Sequence, residues 1–321
     1  MNRHYNKIGF QGKKDAIHDD YFEGWYYKQV SKNGLYTISF IPGISYNILD
    51  PHCFIQCIIS DKNKTLTSHY FKYDVNQFNC QDNPFKVTIN NTIFEENNIY
   101  IDLKEADINI KGELHFNQLE PLNNSLLCPN IMGYFSYIPK MECNHHIISM
   151  NHTIKGSLNI KGEEIDFNDG LGYMEKDWGK SFPKEYIWLQ CNHFSKSDIK
   201  LALSVATIPF LGFSFKGFFC SLFIDNKEYR FATYNRSKLK FNILKDNQID
   251  ITFIKGDIEV NVSSTIDSVL SLASPKNGVM NDFIKEGLSA NILLKFSNKQ
   301  NGKKIEAVGQ NAGIEIMMKS W

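Results

Sequence analysis

Short runs of β-branched and aromatic residues recur along the chain with Asn, Asp, Gly or Lys between them, and almost nowhere do apolar positions keep the 3.6-residue spacing of an amphipathic helix. Leu35–Ile41, Phe54–Ser60, Phe85–Ile89, Ile99–Leu103, Ile108–Ile110, His152–Ile160, Tyr186–Cys191, Ile249–Ile254, Ile258–Val262 and Ala290–Phe296 read as strands. Hairpin chemistry marks Lys32-Asn33-Gly34 and Ile160-Lys161-Gly162-Glu163, where glycine supplies the positive φ of a tight turn. Helix candidates are confined to Asp267–Ala273 and Met280–Glu286. A chain of many short strands must hide its sheet edges, most simply by closing or stacking its sheets. The pattern predicts an all-β protein of two antiparallel β-barrel or sandwich domains with few short helices. The boundary falls near residue 180, where a motif-dense stretch gives way to plainer strands, dividing the chain into 1–180 and 181–321.

Leu201 to Ile224 is almost uncharged and invites a membrane span. Lys216 interrupts it, Pro209 and Gly212 sit mid-way, and Leu201, Leu203 and Val205 alternate with Ala202, Ser204 and Ala206. Two strands joined near Pro209–Gly212 are expected instead.

Composition narrows the partners. Lys plus Arg equals Asp plus Glu at 35 each, with no basic tract, so nothing points to nucleic acid. Aromatic content of 13%, with 24 Phe and 15 Tyr, exceeds what an ordinary core requires and suits strands or an apolar pocket, although most of these rings read as core. Seven cysteines, an odd number without a Cys-x-x-Cys pair, argue against a disulfide framework or zinc ribbon and read as buried small hydrophobes. Met1–Lys7 lacks the apolar region of a signal peptide, so a cytoplasmic location is expected.

Three segments carry candidate chemistry. Asp19-Asp20-Tyr21-Phe22-Glu23-Gly24-Trp25-Tyr26-Tyr27-Lys28 packs carboxylates and aromatics round one glycine. It reads either as a core strand or as Glu23 presented beside rings that stabilise a cation. Gly133 to His146 ends in adjacent histidines. Successive side chains on a strand point to opposite faces, so His145 and His146 do not share an ion, and no metal site is expected. Asp169 to Pro183, followed by Tyr186 to His193, is the most informative stretch. If Tyr173–Trp178 is extended, Tyr173, Glu175 and Asp177 share one face and Met174, Lys176 and Trp178 the other. Two acids on one strand face form either a solvated edge or an acid pair whose carboxyl pKa is raised by burial and by the neighbouring charge.

Tyr21-Phe22-Glu23-Gly24-Trp25-Tyr26-Tyr27, Gly172-Tyr173-Met174-Glu175-Lys176-Asp177-Trp178-Gly179 and Trp188-Leu189-Gln190-Cys191-Asn192 resemble the tocopherol cyclase family, with a further echo in Ala312-Gly313-Ile314-Glu315-Ile316. The resemblance implies two lipocalin-like halves and the closure of a prenylated quinol to a chromanol. That step needs a Brønsted acid to protonate an alkene, a pocket tolerant of a tertiary cation and a placed phenol oxygen. It needs no redox cofactor or metal. Glu175 or Asp177 is then the general acid, with Glu23 in reserve and Tyr173 as proton relay. Trp25, Tyr26, Trp178 and Trp188 line the cation site, and His145 and Asn192 orient the phenol. The expected partner is a small hydrophobic molecule taken up with peripheral membrane contact. The alternatives are a non-catalytic lipid carrier and a polyene hydratase. No Gly-x-Ser-x-Gly elbow or complete dinucleotide fingerprint supports other chemistry.

Overall fold

The computed structural model describes residues 8–12, 19–138, 141–196, 198–210, 213–244, 248–266 and 268–318. The described chain forms two compact units. The first holds the residues up to Ile131, Phe135–Phe182 and Ala273–Phe283; the second holds Met132–Tyr134, Pro183–Leu272 and the residues from Ile284 onward. Among the described residues, helical structure is limited to three 3-10 turns, and no helix is long and apolar enough to cross a membrane.

The first sheet contains β1 (Tyr21–Val30), β2 (Thr37–Tyr46), β3 (His52–Ser60), β4 (Leu66–Asp74), β5 (Phe78–Asp82), β6 (Phe85–Ile89), β7 (Thr92–Glu95), β8 (Asn98–Lys104), β9 (Asn109–Asn117), β10 (Cys143–Ile160), β11 (Glu163–Asp166) and β12 (Leu171–Gly179). Their order is β4-β3-β2-β1-β12-β10-β9-β8-β7-β6-β5, with β11 on β10. The two edge strands, β4 and β5, are consecutive in the chain and are joined only by the 3-10 turn Val75–Gln77, whose Asn76 N–H donates to Asp74 at 3.0 Å. So short a link obliges the sheet to curl until its edges approach. One apolar cluster accordingly draws Ile55 and Phe71 from one half of the sheet and Phe85, Val87 and Ile110 from the other.

The second sheet repeats this plan. It contains β13 (Tyr186–Cys191), β14 (His193–Phe194), β15 (Ile199–Phe210), β16 (Phe213–Ile224), β17 (Lys227–Ala232), β18 (Lys238–Leu244), β19 (Gln248–Lys255), β20 (Ile258–Thr265), β21 (Leu270–Lys276), β22 (Val279–Asn298) and β23 (Lys303–Met317). Its order is β17-β16-β15-β13-β23-β22-β20-β19-β18, and the edge strands are again joined by a 3-10 turn, Thr233–Asn235. In each sheet the first strand pairs antiparallel with the last, β1 with β12 and β13 with β23. The all-β, lipocalin-like organisation read from the sequence is therefore present.

The uncharged run is the hairpin β15–β16, paired from Ile199↔Ile224 to Phe210↔Phe213, with residues 211 and 212 outside those described. Both helix candidates are strands instead. Met280, Phe283 and Ile284 mimic helical spacing, but the turn at Asn277 and Gly278, with φ of 51° and 76°, launches an extended chain. The other candidate becomes β21, and its Asp267 lies outside the described residues.

Burial separates two kinds of strand. On β9 and β19 buried and open positions alternate, the mark of a sheet covered on one face. All of β3 and most of β1 are buried on both faces, as is β12 from Gly172 to Lys176, so the outer face there carries a second layer. Within the first unit, Ala273–Gly278 supplies part of it. Gln56 brackets the Ala273 backbone at 2.9 and 3.1 Å, Ser45 donates to Gly278 O at 2.5 Å, and Asn47 donates to Asn277 O at 2.9 Å.

His152 sits in this sheet fully buried, with Nε2 3.3 Å from Gln29 Oε1 and its ring 4.5 Å from that of Phe116. The pair fills the space opposite Gly172, where a Cβ would strike both side chains. Burial pushes the imidazole down to about 3, so it is neutral in the fold. A depressed histidine contributes stability that is fully present above the unfolded value near 6.5 and is lost as pH falls toward 3, on the order of 5 kcal/mol when complete. His152→Gln is expected to flatten the fall of urea-unfolding free energy below about pH 6, and a parallel pH profile for the variant would refute this assignment.

Candidate functional site

Period-two alternation on β12 sorts its side chains as the sequence suggested. Tyr173, Glu175 and Asp177 project on the outer face, and Met174, Lys176 and Trp178 on the core side. β10 delivers the adjacent histidines to opposite faces, because His145 lies opposite Asp177 and His146 opposite Lys176.

On the outer face, His145 Nδ1 is 2.8 Å from Asp177 Oδ1 and Nε2 is 3.3 Å from Glu175 Oε2. The imidazole is thus hydrogen-bonded to Asp177 and within ion-pair distance of Glu175, two carboxylates that the strand holds two residues apart. Tyr173 donates to the same Glu175 oxygen at 2.5 Å, and Tyr26, the cross-strand partner of Glu175, sets its ring 6.5 Å from that of Tyr173. Side-chain exposure is graded: Glu175 is 4% exposed, His145 14% and Asp177 22%. Burial, reinforced by the Glu175 charge and hydrogen bond, pushes the Tyr173 phenol well above the usual tyrosine range. Tyr173 thus stands as a hydrogen-bond donor to Glu175.

One donor atom each from His145, Glu175 and Asp177 falls within a 4.8 Å cluster, a set that could hold a metal ion. The sequence reading weighed only the His145–His146 pair. The grouping that forms combines one of those histidines with acids from another strand.

Glu23, Trp25 and Trp178 go elsewhere. Glu23 is fully buried and pairs with Lys176 at 2.5 Å. It also accepts from the N–H groups of Gln11 and Gly12, at 2.9 and 3.0 Å, and from the Tyr21 hydroxyl. Lys176 lies 5.0 and 4.9 Å from the ring centroids of Trp25 and Trp178 and donates to Gly9 O, while Trp25 Nε1 donates to Ile8 O at 2.7 Å. Burial lowers the Lys176 pKa, and the Glu23 charge works against that shift. The cation beside these tryptophans is thus the protein's own ammonium. With its acceptor sites spent on this clamp, Glu23 is removed from the set of acids open to a ligand.

Trp188 and Asn192 belong to the second unit. Trp188 is buried on β13 opposite Glu315 and Ser204, and Asn192 Oδ1 is 3.0 Å from His193 Nδ1. A row that sequence reasoning did not assemble runs through the same place: Glu315 lies opposite both Trp188 and the fully buried Glu286 and accepts from Tyr186 at 2.7 Å. The Gly313-Ile314-Glu315 echo was its only signal. Of the ten residues singled out from sequence, five come together on the first unit's outer face: Tyr26, His145, Tyr173, Glu175 and Asp177.

A family model described as Tocopherol cyclase-like matches residues 124–317. A probable chloroplastic tocopherol cyclase of Oryza sativa subsp. japonica is 32% identical over 74 residues, covering 23% of this chain and 16% of that protein. Kievitone hydratase from Nectria haematococca aligns over 94% of this chain and 89% of its own, with TM-score 0.55 and 12% identity. CghA with Sch210972 aligns over 92% and 88%, with TM-score 0.61 and 9% identity. These two structures share the fold.

Removing one member of the buried pair strands the other's charge. Lys176→Met is expected to cost ~3–5 kcal/mol. The double variant Glu23→Gln/Lys176→Met should cost less than the sum of the singles, with a coupling of ~2 kcal/mol in a denaturation cycle. Additive singles would show that the clamp does not act as a pair.

Proposed function

Because this chain belongs to the tocopherol cyclase-like family, we propose that it is an acid-catalysed enzyme acting on a small hydrophobic substrate, a prenylated quinol or a related isoprenoid alkene. The observation that carries the proposal is the link between His145 and both Glu175 and Asp177 on a face where Glu175 is nearly dry. A carboxyl group in a water-poor setting within reach of an imidazole is the kind of arrangement that general acid catalysis uses. Asp177 holds the His145 ring at Nδ1, His145 Nε2 lies 3.3 Å from Glu175 where it can supply a proton, and Tyr173 keeps the Glu175 carboxyl in one orientation.

In the reaction the carboxyl O–H bond breaks as the alkene π pair forms a new C–H bond, leaving a tertiary cation. The phenol oxygen closes the ring with a lone pair and returns its proton to the carboxylate. The product is an isomer of the substrate, and no electron is gained or lost. Interception of the cation by water gives the hydratase outcome instead. The site differs from the arrangement expected of a barrel pocket. The first unit's interior is filled by Trp25, Tyr27, Phe40, Phe94 and Met174, and the acids lie on the opposite side of the wall. A carrier holding lipid inside that barrel is disfavoured for the same reason.

Incubation with a panel of prenylated quinols and polyprenyl alkenes, followed by mass spectrometry, is expected to reveal an isomer of unchanged mass or a hydrated product. Glu175→Gln and Asp177→Asn should each lower turnover by ~10²-fold or more, the usual worth of a placed acid or base. Both amide variants turning over at the wild-type rate, or retention of ligand without turnover across the panel, would overturn the proposal.

A further inference from the structure

The register of β10, β12, β1, β2 and β3 lines up five residues in one row across the first sheet: His145, Asp177, Gly24, Gly43 and Phe54. Directly opposed residues point to the same face, so the two glycines leave a gap in that row between an acid and an aromatic ring. The two are bare for different reasons. A Cβ on Gly43 would meet Phe54 Cε2 at 2.9 Å, because the Phe54 ring lies over it, backed by the stacked ring of Tyr70 at 5.3 Å. Gly43 is thus a packing glycine.

Gly24 has no such reason. Its φ is outside the positive region, and the atom nearest to a Cβ would be Pro42 O at 3.6 Å, followed by Ile41 Cγ2 at 3.8 Å, which is ordinary contact. A Cβ could stand there without strain or collision. Gly24 is also less buried than its neighbours Phe22, Glu23, Trp25 and Tyr26. Strand glycines often mark a bulge, a bend or a place where a ligand approaches the backbone, and the register at Gly24 runs on without a shift on both sides. The opening it leaves has Asp177 and His145 on one side and Phe54 on the other.

We infer that this slot over Gly24 seats the reacting unsaturated segment of the substrate, so that Gly24 and Phe54 set which molecules reach the acid. The inference rests on the acid-catalysis reading and adds a shape to it. A slot about one strand spacing wide, ~5 Å, admits a flat alkene or aromatic edge and refuses a saturated, branched ring. Phe54 supplies the π surface beside the developing cation, a role that Trp25 and Trp178, occupied with Lys176, do not fill.

The test measures binding of 2-geranyl-1,4-hydroquinone by isothermal titration, with thermal unfolding as the control for folding. Gly24→Ala should weaken binding by roughly 10-fold and Gly24→Leu abolish it, each with a melting temperature close to the wild type. Phe54→Leu should retain binding within a few-fold and slow any turnover by roughly 10-fold. Wild-type affinity in a folded Gly24→Leu variant overturns the slot, as does failure of the wild-type chain to bind this probe. If binding depends on Gly24 but no panel compound is turned over, the acid chemistry falls and the slot stands. If panel alkenes are turned over equally by wild type and Gly24→Leu, the slot falls and the acid chemistry stands.

Discussion

The pairing of β1 with β12 is the constraint from which the rest of the first unit follows. It joins the first strand to the last in the middle of the sheet, and it sets two motif segments, remote in sequence, side by side in one register. Alternation then does the sorting. One residue of each pair faces a packed interior and the next an outer face that is also covered, so a single ladder carries a structural cluster on one side and a chemical one on the other. Lys176 and Glu175 are chain neighbours and share neither partners nor purpose.

That division accounts for the unusual cost of the wall. A fully buried ion pair is expensive to desolvate and is retained only where its geometry is nearly complete. Here Glu23 meets four donors and Lys176 two indole faces, a carbonyl and a carboxylate, and both reach the chain at Ile8–Gly12. The result is a stiff strand pair under the acids. The spacings among Asp177, His145 and Glu175 are accordingly set by backbone register instead of by loops.

Much of the fold was legible because strands advertise themselves through period two and glycine turns. Phe85–Ile89 and Tyr186–Cys191 have the bounds read from the pattern. Met280–Glu286 misled because a few apolar residues at helical spacing carry no information about the turn that precedes them. The faces of Tyr173–Trp178 could also be read, since they depend on one strand alone. What escaped was everything that depends on which strand lies beside which. The cation that claims Trp25 and Trp178, the Glu286–Glu315–Trp188 row, and the placement of Phe54 over Gly43 all arise from pairings between distant segments. No local period encodes those.

The joining of first strand to last has a kinetic side as well. A seam between segments that lie at the two ends of a unit's sequence carries a large loop-closure cost that must be met before native contacts repay it, which places its formation late on the folding route. Gly24 and Asp177 face each other across that seam, whereas His145, Glu175 and Asp177 all lie on β10 and β12, on one side of it. A partly folded chain can therefore bring His145 to Asp177 through the shorter-range β10–β12 pairing, while Gly24 and Tyr26 reach that face only once β1 has joined β12.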